Sequence, residues 1–138
     1  MKSYELIEHT ADIGIRVKGK DLKQLFKNAA LAMFEIIGER KNKELPGQET
    51  IAIEQSAQGL DELFVNWLNE LLSLSATKEL IFSDFQIKNL DQHRLQAVAA
   101  GSSIKNYRIN TEIKAATYHQ LKIERSKGGW VAEVIFDV

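Results

Sequence analysis

Two stretches of this chain repeat their apolar residues at three- and four-residue intervals, a period that only a helix satisfies. Leu22, Leu25, Phe26, Ala29, Ala30, Met33, Phe34 and Ile37 mark the first. Asp21 precedes it as a candidate N-terminal cap, and Gly38 follows as a stop. Leu60, Leu63, Phe64, Trp67, Leu68, Leu71 and Leu72 mark the second, with Asp61 and Glu62 in its first turn, where negative charge is favoured. Each stripe is wide enough to cover a sheet, and its aromatics, Phe64 and Trp67 included, read as core.

The remainder reads as strands. Ile13, Ile15 and Val17 alternate with Gly14, Arg16 and Lys18, and Ile51 and Ile53 alternate after the Pro46-Gly47 turn. Leu80 to Leu90 and Arg94 to Ala100 read as two strands joined at Asp91-Gln92. A β-rich run from Lys114 to Arg125 is separated by Gly128-Gly129 from the apolar strand Trp130 to Phe136, as in a hairpin. The polar segment Gly101 to Asn110 has neither period and reads as a loop. The order β-β-α-β-α-β-β-β-β lacks regular βαβ alternation. It predicts an α+β fold, two amphipathic helices on a largely antiparallel sheet or sandwich, with residues 1–138 forming one domain.

Composition narrows the chemistry. A net charge of −1 and the lack of an interleaved basic-aromatic stripe argue against direct RNA contact. With no cysteine there is no disulfide, thiolate metal site or cysteine nucleophile, which suits a cytoplasmic protein. No segment is apolar for the roughly 18 residues a membrane span needs, and Met1-Lys2-Ser3-Tyr4-Glu5 has no signal-peptide core. Phosphate-binding glycine loops, nucleophile elbows and HExxH are missing, and the three histidines are scattered. An oxygen-rich site for a hard cation is the chemistry the residue types support.

Three places could carry it. Strand Trp130 to Phe136 delivers the side chain of Asp137 and the terminal oxygens of Val138 to one end of a sheet, where they either hold a cation or are simply solvated. Asp12, ahead of the first alternation in His9-Thr-Ala-Asp-Ile-Gly14, either bonds backbone N–H groups of a turn or points an oxygen into a site. His9 beside it suits a packing role. In Glu112-Ile-Lys-Ala-Ala-Thr-Tyr-His119, Glu112 and Lys114 share a face and could pair, or Lys114 and His119 could present a cationic edge to a phosphate or carboxylate.

Taken in order, five segments resemble the archease family: His9 to Gly14, Leu31-Ala-Met-Phe34, Trp67-Leu-Asn-Glu-Leu-Leu72, Glu112 to His119, and Gly129-Trp through Phe136-Asp-Val138. The resemblance implies a small α+β protein that is not itself an enzyme. It implies an accessory activator of the GTP-dependent RNA ligase that joins 3′-phosphate ends in tRNA splicing and RNA repair, promoting ligase guanylylation and multiple turnover. RNA would be met only through the ligase. It further implies a divalent-metal site, calcium or alternatively magnesium or manganese, on Asp12, Asp137 and Val138, the last through a backbone or terminal oxygen. His9, Glu112, Lys114 and His119 are candidate partner-facing residues. Gly101-Ser102-Ser103 and the basic run to Asn110 depart from the more acidic family pattern, which bears on partner selectivity. Competing readings are a small metal-dependent phosphoesterase, with His119 as general acid or base, and a chaperone-like interaction module.

Overall fold

The structure, a computed structural model, describes residues 4–7, 12–41 and 48–138. In chain order the elements are β1 (Tyr4–Ile7), β2 (Ile13–Gly19), α1 (Leu22–Ile37), β3 (Gly38–Arg40), β4 (Glu49–Ser56), α2 (Leu60–Lys78), β5 (Leu80–Leu90) and β6 (Arg94–Ser103). A short 3-10 turn, Ile104–Asn106, then leads to β7 (Tyr107–Ile109), β8 (Ala115–Ser126) and β9 (Gly129–Asp137). The α+β class with antiparallel pairing is as the periodicities predict. Asp21 caps α1, its carboxylate accepting from the Gln24 N–H at 2.8 Å.

Every paired strand is antiparallel. One sheet runs β1-β2-β9-β8, a second β4-β6-β5, and β3 pairs with β7. Both helices touch both larger sheets: α1 packs on β2 and β9 and on β5, while α2 packs on β8 and on β4, β5 and β6. The helices thus form a middle layer, which is why α1 buries Ala29, Ala30 and Ala32 besides its larger residues. Small side chains let neighbouring backbones approach where two layers press on one helix. Trp67, Phe26, Phe64, Phe82 and Phe85 are fully buried, with edge-on ring contacts at 5.1 Å (Phe26–Phe64) and 5.8 Å (Trp67–Phe85). The Trp67 indole N–H donates to the Phe26 carbonyl at 3.0 Å, so its polar atom is satisfied within the core.

Gly38 stops α1 as the sequence predicts, in extended backbone (φ −163°) because it also begins β3. The structure departs from the sequence expectations in two places. Gly101 to Asn110 is not a loop: it finishes β6, makes the 3-10 turn and adds β7, which pairs with β3 directly behind α1. The final hairpin turns at Lys127-Gly128, one residue earlier than expected, since Ser126 pairs with Gly129 and Gly128 takes φ +85°.

Strand β8 carries the largest irregularity. Thr117 pairs with Ile135, and the next pair is Lys122 with Glu133, so Tyr118 to Leu121 stand against Val134 alone. Gln120, at φ +53°, turns the chain there. Ala116 faces the core before this bulge and Ile123, opposite buried Ala132, faces it afterwards. Unbroken alternation would have turned Ile123 to solvent and Lys122 inward. The bulge restores the apolar face.

Candidate functional site

The register of β2 against β9 organises the outer face of the four-stranded sheet. Ile13 pairs with Phe136, both on the helix side. The register ends at that pair, so Asp12, which precedes β2, and Asp137, which closes β9, adjoin the same sheet end, with Ala115 of β8 paired to Asp137. The next row inboard is Ile7–Gly14–Ile135–Thr117, and beyond it runs Glu5–Arg16–Glu133–Lys122. That second row alternates in charge across four strands. Arg16 bonds Glu133 at 2.8 Å and Glu5 at 3.1 Å, and both carboxylates hold its guanidinium pKa above the ordinary value, Glu133 most strongly.

The apolar row lies next to the aspartate end on the same face. Ile135 is buried yet lies apart from the central cluster, on the opposite face of β9 and against Gly14. The Thr117 hydroxyl donates to the Ile135 carbonyl at 2.8 Å. Asp137 itself is exposed and Asp12 half-buried. The Lys114 N–H donates to the Asp137 carbonyl at 2.8 Å, so that carbonyl is committed to the backbone ladder and the side chain is the donor Asp137 offers.

The opposite edge of β8 is held by a residue the sequence reading quoted without assigning a role. Asn69 of α2 accepts from the Ala116 N–H at 2.7 Å and donates to the Ala116 carbonyl at 3.1 Å. Its amide thereby completes the outer hydrogen bonds of an edge strand next to the Ala115–Asp137 pair. The signal was an amide set among Trp67, Leu68, Leu71 and Leu72. A polar group in an apolar stripe needs a partner.

The sequence-derived candidates separate into groups. Asp12, Asp137 and Val138 gather at one sheet end, and Lys114 adjoins them through its backbone bond. Glu112 and Lys114 are exposed on either side of buried Ile113, as their alternation predicts, but the ion pairs of the described residues include none between them. His119 lies in the bulge opposite Val134, three positions along β9 from Asp137. Its neighbour Tyr118 faces the start of α2, where burial, then Glu62 and Asp61, raise its phenol pKa. His9 lies outside the described residues.

The donor set suits a hard cation. Asp12 and Asp137 supply only oxygen, which Ca²⁺, Mg²⁺ or Mn²⁺ accepts. With Val138 oxygens they would still fall short of the roughly 6–8 ligands of Ca²⁺, leaving positions for water or a partner's groups. Among the described residues no three His, Cys, Asp or Glu side chains converge to enclose an ion. The arrangement is therefore an open edge rather than a cage. No helix of the described residues is long and apolar enough to cross a membrane.

Comparison with known proteins agrees with this architecture. Residues 4–138 match the model of the Archease protein family (MTH1598/TM1083). The chain is 36% identical over 143 residues to protein archease of Methanosarcina mazei, covering 99% of this chain and 97% of that protein. It is 35% identical over 144 residues to protein archease of Pyrococcus abyssi, covering all of both. Among solved structures, Methanobacterium thermoautotrophicum protein 1598 superposes over the whole of both chains with TM-score 0.79 and 34% identity. A Thermotoga maritima archease, described as a possible chaperone, superposes with TM-score 0.68 and 25% identity over 96% of this chain and 94% of that one. The chain belongs to the archease family.

Proposed function

We propose that this protein is a non-catalytic accessory factor that binds a divalent cation at Asp12, Asp137 and Val138 and activates a GTP-dependent RNA ligase. The observation that supports the reading is the Ile13–Phe136 pair, which leaves Asp12 and Asp137 adjoining one sheet end. Carboxylates brought to one end of a sheet favour a bound cation or a basic partner. The cation would neutralise the carboxylates and offer its open coordination positions to the ligase or its nucleotide. The chain's own residues fix the edge, since Asn69 holds β8 through both backbone atoms of Ala116. Lys114 supplies a flanking ammonium. The description of the Thermotoga maritima relative as a possible chaperone gains less support here, because the exposed large apolar residues described, Leu6, Ile104, Ile109, Tyr118 and Val138, are dispersed.

The test is ligation with limiting ligase, GTP and Mn²⁺. The parent protein should sustain many rounds of joining, while Asp12→Ala and Asp137→Asn should leave the ligase near one round. Full support by either variant, or turnover of a phosphodiester by the protein alone, overturns the proposal.

A further inference from the structure

At the other end of the same sheet the chemistry inverts. Six register steps separate the Ile13–Phe136 pair from the Gly19–Trp130 pair, about 20 Å along the strands. There the end of β2, the Lys127-Gly128 turn and the first turns of α1 surround an open groove of about 680 Å³. A side-chain carbon on Gly19 would strike the Leu25 backbone, and one on Gly129 would strike the Gly19 carbonyl, so glycine at both positions lets the three elements converge.

Four cations line the groove, Arg16, Lys18, Lys20 and Lys127, against one carboxylate, Glu5. Arg16 is engaged by Glu5 and Glu133. The ammonium groups of Lys18, Lys20 and Lys127 take part in none of the ion pairs of the described residues, and all three residues are exposed. This concentration of unpaired positive charge stands in a chain whose net charge is −1. Tyr4 and Trp130, each partly buried against the core, contribute the aromatic wall, and the Arg125 guanidinium, outside the groove lining, lies 5.3 Å from the Trp130 ring centroid.

We infer that this groove binds the sugar–phosphate backbone of single-stranded RNA. Unpaired lysines track phosphates, and the exposed parts of the Tyr4 and Trp130 rings offer aromatic contact to unstacked bases, the combination that single-strand binders use. An acidic protein segment would meet the same lysines and leave the planar wall unused. The groove lies well away from the Asp12–Asp137 end, and the inference does not rest on cation binding there. It supplies a direct RNA contact that the chain's overall charge argued against.

The experiment measures fluorescence anisotropy of a labelled single-stranded RNA of about twenty nucleotides with the full chain, between 50 and 200 mM salt. Displacement of about three counterions predicts an affinity that falls roughly twentyfold across that range. Combined Lys18→Gln, Lys20→Gln and Lys127→Gln substitution should weaken binding at least about tenfold at the lower salt and flatten the salt dependence. These side chains are exposed, and an unchanged melting curve confirms the fold. Asp12→Asn should bind RNA like the parent, which keeps this result separate from that of the ligation assay. Absence of RNA binding at low salt, or equal binding by the triple variant, overturns the inference. So does a polyglutamate that displaces the RNA at matched charge concentration, because it would assign the groove to acidic protein.

Discussion

Asp12 and Asp137 adjoin one end of the β2–β9 pair, so a cation held there would add to stability. Calcium should raise the melting temperature of the parent and leave that of Asp12→Asn unchanged, because binding to the native state stabilises only the protein that retains the site. Paired thermal melts in calcium and in chelator check this. Asp91 offers a second test at this scale. Its carboxylate accepts from the N–H groups of His93 at 2.7 Å and Arg94 at 2.9 Å, and these bonds, His93 first, hold its pKa below the ordinary aspartate value. A carboxyl lowered in the folded state adds stability above its unfolded pKa, near 4, and loses it as pH falls through the folded value. The advantage of the parent over Asp91→Ala in urea melts should therefore be present at pH 7 and shrink in acid. Asp91 was legible as a turn residue because its bonds are local. That Asp12 and Asp137 adjoin the same sheet end was not, because it is fixed by the pairing of the distant strands β2 and β9. The sequence showed both carboxylates and left their placement at one end to the resemblance.

At the scale of elements, periodicity was a good guide wherever an element was long. Both helices lie where their apolar spacing put them, with α2 continuing to Lys78. Strands β3 and β7, three residues each, are too short to show a pattern, and each exists only because the other lies beside it. The bulge in β8 was hidden for a related reason: its offset is defined against β9. Two substitutions probe these elements. Asn69→Ala removes both partners of the Ala116 backbone and should cost about 1–3 kcal/mol in denaturant melts. Glu79 closes α2 in left-handed backbone, φ 53° and ψ 47°, where a side chain is strained. Glu79→Gly should raise stability by about 0.5–1 kcal/mol, with the same measurement as the check.

For the molecule as a whole, two helices between two sheets make one continuous core. Each helix packs on both sheets, so no layer can leave without exposing the others, and unfolding should be a single cooperative event. The two tryptophans report it from different places, Trp67 fully buried and Trp130 half-exposed. Fluorescence and far-UV circular dichroism should give coincident transitions in urea, and separated midpoints would refute a single unit. The four-stranded sheet also makes the molecule electrically polar along its strands, with carboxylates at one end and unpaired lysines at the other. Neither pole is visible in a total charge, since Lys18, Lys20 and Lys127 are brought together only by the final hairpin.

The Asn69 contact with Ala116 reaches further than one edge strand. Apolar layers can slide over one another at little cost, because dispersion has no direction. An amide bonded to both backbone atoms of a single residue has one alignment, and a slip of one position would break both bonds and flip the strand's faces. Asn69 therefore acts as an index pin between helix and sheet. It makes the spacing of the aspartate edge from α2 a fixed dimension of the molecule, so a partner gripping that helix would find the carboxylates at a set distance.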